Sequence, residues 1–238
     1  MTNAPVQPAQ IPLPFRQYDH YELEQYRPGG NREALEHLYG LRVGSGGGTC
    51  LWGERGTGKS HLLQAMCTRI AGQGGRSAYL PLGEHAALEP GMLQGLEQLH
   101  LVCMDDMDAV AGRDRWERAV FNLFNGLAEA GNSLVFSASM SPRGLPLDLP
   151  DLKSRLQSGL IFHLKPLPEA ELLEALRQRA RRRGFDLSDE VTAYITRRLA
   201  RDTHSLFGFL DRLDEASLAA KRKLTVPFVR ELIEKSES

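Results

Sequence analysis

Gly53-Glu54-Arg55-Gly56-Thr57-Gly58-Lys59-Ser60 is the stretch on which the reading of this chain turns. It fills every fixed position of the pattern GxxxxGK[ST]. The context is the one the pattern needs: the apolar run TCLWGE (49–54) reads as a strand, and Leu62, Leu63, Met66, Cys67 and Ile70 recur at helical spacing over His61–Ala71. The residue types follow from phosphate chemistry. Gly53, Gly56 and Gly58 let the backbone turn tightly and aim its N–H groups inward, with Thr57 carried in the same loop. The helix start adds a positive dipole end. Lys59 is a compact cation able to reach the β and γ phosphates, and the Ser60 hydroxyl is a candidate Mg2+ ligand. The loop therefore predicts binding of ATP or ADP.

Working outward, short apolar runs recur at SAYLPL (77–82), HLVCMDD (100–106), NSLVFSAS (132–139) and LIFHLKPL (160–167). Each is near-continuously apolar, as strands buried on both faces are. A second helical pattern spans Trp116–Ala128, with Val120, Phe121, Leu123, Phe124 and Leu127 at helical spacing. Alternation of strand and helix predicts an α/β fold, a parallel sheet with helices on both faces. After Pro166 the strands stop. Glu169–Arg183, Ser188–Arg201, Ser205–Lys221 and Pro227–Lys235 each read as a helix, with Ser188 and Thr225 as N-caps and Gly184 as a stop. Three parts are expected: a flexible tail over 1–16, a nucleotide-binding core over 17–167 and a small helical domain over 168–238.

Composition narrows the class. Of 238 residues, 42% are hydrophobic and 25% charged, with a formal net charge of −1, so no global basic excess is present to hold nucleic acid unspecifically. Cys50, Cys67 and Cys103 lie in apolar stretches without a CxxC pair, which predicts buried free thiols in a reducing compartment. The start MTNAPVQPAQ lacks the charged and apolar regions of a signal peptide, and no apolar run approaches a membrane span. A cytoplasmic protein without a membrane partner is expected.

The strand HLVCMDD ends in Asp105-Asp106. An acidic pair there is a Walker B pattern: Asp105 is the candidate to hold Mg2+, directly or through water. Asp106 stands where many P-loop ATPases place a glutamate that orients the attacking water. It is one methylene shorter, which predicts poor water activation.

These segments, together with QIPLPF (10–15), YRPGGN (26–31), LVCMDDMDAVAG (101–112), LPDLKSRL (149–156), RARRRGFDL (179–187) and KRKLTVPFVRELI (221–233), resemble the Hda family from end to end. That family comprises DnaA-related regulatory AAA+ proteins of bacterial replication. The resemblance implies an AAA+ core with strand order 5-1-4-3-2 and a helical lid. It implies DnaA and the DNA-loaded beta sliding clamp as partners, with DNA reached only through the clamp, and a possible homo-oligomer. The implied activity is stimulated hydrolysis of DnaA-bound ATP, which prevents over-initiation, with at most weak ATPase of its own and a preference for ADP.

Residue by residue, the resemblance makes Gln10, Leu13 and Phe15 the clamp-binding motif; two prolines keep that piece extended. Arg155 becomes an arginine finger acting in trans, and its segment, lying between the fourth and fifth strands, is expected near the carboxyl ends of the strands. Tyr26, Pro28 and Asn31 match the segment beside the adenine, and Ser139 matches the sensor I position. His204 stands where the family usually carries a sensor II arginine. Either His204 is protonated beside the phosphates, or Arg201 substitutes, or that contact is lost. The cluster Arg177, Arg179, Arg181, Arg182 and Arg183 reads as a solvated helix face, with a phosphate or acidic-partner contact as the alternative. The competing function is an autonomous AAA+ ATPase, a helicase loader or remodelling factor.

Overall fold

Strands buried on both faces must send alternate side chains into two separate cores, and this sheet does so. The computed structural model describes residues 21–199, 203–220 and 225–237. Strands β1 (Gly47–Trp52), β2 (Ser77–Pro81), β3 (Leu101–Asp105), β4 (Ser133–Ala138) and β5 (Leu160–His163) form one sheet in the order β2-β3-β4-β1-β5, all pairs parallel. Counted from the β5 edge, this is the expected order 5-1-4-3-2.

One face carries helices α1 (Arg32–Gly40) and α2 (Lys59–Gly72). Leu38, Leu62, Leu63, Met66 and Ile70 pack there on Leu51, Leu101, Cys103 and Val135. The other carries α3 (Asp114–Glu129) and α4 (Pro150–Gln157). Val120, Leu123, Leu127, Leu152 and Leu156 pack on Cys50, Val102, Met104, Leu134 and Phe136. Neighbours in sequence, such as Cys50 and Leu51, thus serve opposite cores. Cys50 and Cys103 are buried, Cys67 is partly so, and all three are free thiols.

The edge strand β5 departs from the expectation of burial on both faces: Leu160 is 54% and Ile161 39% exposed. The apolar run does form a strand, but as an edge strand it pairs with β1 alone. Two short helices, α1 and α4, also lie outside the elements expected from periodicity. In α4 the signals were Pro150 in the first turn and the Leu152/Leu156 pair, one turn apart.

The third cluster is formed by α5 (Glu169–Arg182), α6 (Asp189–Arg198), α7 (Thr203–Ala220) and α8 (Val226–Glu237), around Leu172, Leu176, Ile195, Leu206, Phe209, Leu213 and Val229. It shares no residue with the two sheet clusters. The Ser188 hydroxyl accepts from Val191 N at 3.3 Å, the expected N-cap. Gly184 takes φ 84°, and the Gly184 and Phe185 N–H groups close α5 onto Arg181 O and Ala180 O.

Candidate nucleotide site

The loop Gly53–Gly58 joins β1 to α2, so the phosphate-binding residues sit at the carboxyl rim of the sheet. Gly58 has φ 88°, and a Cβ there would lie 2.6 Å from Cε2 of Tyr26; the ring covers the loop so closely that only glycine fits. A Cβ at Gly53 would strike the Leu164 carbonyl. Thr57 is buried and its hydroxyl donates to Glu54 O at 3.0 Å, holding the turn. Lys59 is 8% exposed; its Nζ donates to Gly53 O at 2.8 Å and Glu54 O at 3.0 Å. Burial pushes the Lys59 pKa down, while the nearby charges of Asp106, Asp105 and Asp108 oppose the shift. A cation so placed, at the first turn of a helix that follows a glycine-rich loop, suits phosphate.

The acidic residues gather at the ends of β3 and β4. Asp105 is buried; its Oδ2 accepts from Tyr79 OH at 2.7 Å, and its Oδ1 accepts from the Ser137 hydroxyl. That same Ser137 oxygen accepts from Asp106 N at 2.9 Å. Burial first, and then the Asp105 charge, raise the pKa of the Tyr79 phenol, so it remains a donor to Asp105. Asp106 adopts φ 56°, ψ 56°, the one positive φ of a non-glycine among the described residues. Its carboxyl is pushed up from the ordinary range by surrounding protein, then by like charges on Asp105 and Asp108, although the residue still reaches solvent. Asp108 accepts from Ser139 N at 2.8 Å and Ser139 Oγ at 3.1 Å. The sensor I candidate is therefore tied to Asp108.

The donor set fits Mg2+ held together with a nucleotide. The Ser60 side chain is exposed at the first turn of α2, and each Asp105 oxygen keeps a lone pair beyond its hydroxyl partner. Mg2+ is commonly held by one or two carboxylates plus phosphate oxygens. Among the described residues no group of three or more His, Cys, Asp or Glu forms an all-protein cage.

The segment before α1 frames the loop. Tyr26 OH donates to Thr57 O at 3.1 Å and accepts from Asn31 Nδ2 at 2.9 Å. Asn31 is buried; it also donates to Lys165 O at 2.9 Å and accepts from Lys165 N at 2.7 Å. The Pro28 carbonyl accepts from Asn31 N. Asn31 thus ties the entry of the core to the stretch leaving β5 for the lid. Its amide is fully engaged, and Tyr26 reaches the loop with its ring. His61 fastens the same segment: its Nε2 lies 3.0 Å from Glu22 O, and its ring meets Tyr21 edge-on at 5.1 Å.

Arg155 lies in the last turn of α4. The expectation that it sits near the carboxyl ends of the strands is corrected here. Its helix runs antiparallel to the sheet, and Gly159, which follows, packs against Gly48 at the amino end of β1. Arg155 is on the rim opposite its own phosphate loop. It is exposed, and its guanidinium pairs with no described residue.

The arginine cluster of α5 is largely internal to the lid. Arg177 pairs with Asp189 at 2.8 Å, Arg181 with Asp186 at 3.2 Å, and Arg183 with Asp211 at 2.5 Å; Arg179 lies 3.8 Å from Asp211 and over the Phe207 ring. Arg181, 62% exposed, keeps to the expected solvated face, whereas Arg179 and Arg183 turn inward onto Asp211. His204 belongs to α7, but its side chain, like Arg201 and the motif Gln10, Leu13 and Phe15, lies outside the described residues. Sequence reasoning missed Tyr79 and Ser137. Both are recognisable only once β2, β3 and β4 are known to be neighbours.

Comparison with known proteins agrees with this geometry. Residues 169–233 match the family model described as the lid domain of Hda. Residues 91–163 match the model of the bacterial DnaA ATPase domain. The fold is similar to domain III of the replication initiation protein DnaA from Thermotoga maritima: 20% identity, 92% of this chain, 97% of that one, TM-score 0.75. It is also similar to AMPPCP-bound DnaA from Aquifex aeolicus: 23% identity, 84% of this chain, TM-score 0.66. This chain spans 66% of the length of that DnaA structure. A Thermotoga maritima RuvB variant shares the fold at 16% identity over 90% of this chain and 71% of that one, TM-score 0.64. Among the described residues no helix is long and apolar enough to cross a membrane. With its five-stranded P-loop core and its helical lid the chain has the AAA+ fold, and its two matched segments are those of the bacterial DnaA ATPase domain and of the Hda lid domain.

Proposed function

We propose that this chain binds ADP or ATP in its own phosphate loop and supplies Arg155 to ATP held by a DnaA partner, speeding that partner's hydrolysis. One observation carries the reading: Arg155 is exposed, without a described partner, on the rim opposite its own Lys59. A guanidinium there is out of place for the chain's own γ-phosphate and well placed for a neighbour's. Its planar fork spans two phosphate oxygens and neutralises charge that develops in the transition state.

The chain's own nucleotide is held by the loop N–H groups, Lys59 and the Ser60 hydroxyl. Bound Mg2+ would supply charge neutralisation between the phosphates, with Ser60 and Asp105 as its protein ligands. Asp106 is one methylene shorter than the glutamate that many P-loop ATPases use to orient water, which makes it poor at water activation. Slow hydrolysis by the isolated chain and a resting ADP form follow. Tyr26 and Asn31 act by shaping the loop. Within this reading Gln10, Leu13 and Phe15 tether the chain to the DNA-loaded sliding clamp, and the protein is a cytoplasmic inhibitor of replication initiation.

The test follows ATP held by DnaA, with clamp and DNA present. Added chain should speed conversion to ADP far above its own turnover. Replacing Gln10, Leu13 and Phe15 together with alanine should remove the clamp-dependent part and leave ADP binding intact. Fast turnover by the isolated chain with no effect on DnaA would favour an autonomous ATPase instead.

A further inference from the structure

Glu117, in the first turn of α3, is 1% exposed and forms no ion pair with a described residue. Its carboxylate is instead ringed by backbone N–H groups. Oε1 accepts from Gly112 N at 2.7 Å and Asp148 N at 3.1 Å; Oε2 accepts from Asp148 N at 3.0 Å and Leu149 N at 2.7 Å. The donors come from two places. Asp148 and Leu149 are the residues just before Pro150, the first of α4, and no side chain of the cap residue Leu149 caps that helix. Gly112 ends the stretch that follows Asp106 through the single 3-10 turn Met107–Val110.

A carboxylate at a helix amino end satisfies donors that the helix itself leaves open and sits well with its dipole. Here the cap arrives from another helix, so it fixes where α4 begins relative to α3 and to the acidic corner. The remaining freedom of α4 is removed by Leu152 and Leu156 in the core and by Gly159 against Gly48. Arg155 rides on a helix whose origin Glu117 sets.

We propose that Glu117 is a positioning residue for Arg155, holding α4 so that the guanidinium meets a partner's phosphate in register. This rests on the reading of Arg155 as a finger acting in trans. Gln has nearly the same shape, but its NH2 would face at least one of the three N–H donors, leaving that donor without an acceptor. A small misplacement of a catalytic group is costly. Glu117→Gln should therefore lower the maximal stimulated hydrolysis of DnaA-bound ATP by between about tenfold and a hundredfold. The chain concentration giving half-maximal effect and its ADP affinity should stay within about twofold, because only a transition-state contact is weakened.

Three measurements settle it. Saturating ADP keeps the variant folded during the assay. Glu117→Gln added to Arg155→Ala should cause no further loss, since both act through one group; a multiplied loss, as from a reduced folded fraction, overturns the proposal. Amide exchange in the variant should quicken at Asp148, Leu149 and through 150–157 but not in α2. In the parent these amides and that of Gly112 should be strongly protected; exchange at the open-chain rate in the parent refutes the anchor whether or not the variant folds. If Arg155→Ala stimulates like the parent, the finger reading fails. If Arg155→Ala is inactive and Glu117→Gln is fully active, the positioning role fails.

Discussion

The two rims of the sheet are built on opposite terms. At the carboxyl rim nearly every polar side chain is engaged with another: Lys59 with loop carbonyls, Asp105 with Tyr79 and Ser137, Asp108 with Ser139, Tyr26 with Thr57 and Asn31. At the amino rim Arg155 stands exposed beside glycine backbone that packs glycine against glycine. A pre-arranged network holds a ligand of the chain's own, because little must reorganise when it arrives. On the proposed reading, a cation without a described partner on a short, anchored helix serves something that comes from outside. The difference teaches that binding and action are separated by the length of the strands, so each can be altered without the other.

Breaking one rim should therefore spare the other. Arg155→Ala should leave ADP binding and thermal stability near the parent values while reducing stimulated hydrolysis on DnaA by roughly 10³-fold or more. Loss of ADP affinity in this variant would erase the distinction between the rims. Lysine at 155 should recover little, since its ammonium lacks the fork.

At the opposite rim, Lys59→Ala removes a charge-assisted donor and should weaken ADP binding by about ten- to a hundredfold in calorimetry. Unchanged affinity would mean that the loop N–H groups alone hold the nucleotide. Within the same corner, Ser137→Ala strips a buried carboxylate of one donor and Asp106 N of its acceptor, costing about 1–3 kcal/mol and lowering Tm by several degrees. Ser139→Ala, at an exposed pair with Asp108, should stay within about 0.5 kcal/mol. Equal losses would show that burial is not what separates the two serines.

The smallest effect is on pH dependence. Burial holds the His61 imidazole neutral, its pKa pushed down to about 4, with Glu22 O opposing and Arg179 and Arg182 assisting. A depressed pKa means that the unfolded chain takes up a proton the folded chain refuses. The contribution of His61 is thus full above the ordinary histidine pKa and is lost as the pH falls toward 4. Tm should fall from pH 7 to pH 5, and His61→Gln should flatten that slope. Parallel slopes would remove His61 from the account.

Much of this was legible in the sequence. The loop GERGTGKS carries its own context, and apolar runs of strand length separated by helical spacing define the sheet without any pairing information. What was hidden depends on non-local neighbours. Ser137 becomes part of the acidic corner only because β4 lies beside β3, and Tyr79 only because β2 lies on the other side. Glu117 is one acidic residue in a polar helical stretch until α4 is folded over it. The rim of Arg155 is not legible in LPDLKSRL alone, because its place between two strands does not show that it is a helix. Once α4 runs from the carboxyl ends to the amino ends, its last turn must lie at the far side.

The left-handed backbone at Asp106 limits how this chain could change over generations. Its φ and ψ, both 56°, are tolerated by aspartate and asparagine far better than by most L-residues, for which such a conformation costs about 1–2 kcal/mol. Replacing Asp106 by the longer glutamate of self-sufficient hydrolases is therefore more than adding a methylene. The lineage would first have to relax the turn that Ser137 pins through Asp106 N, and so loosen the corner before gaining from it. A single nucleotide change separates aspartate from glutamate, yet the backbone at this position sets the two residues far apart.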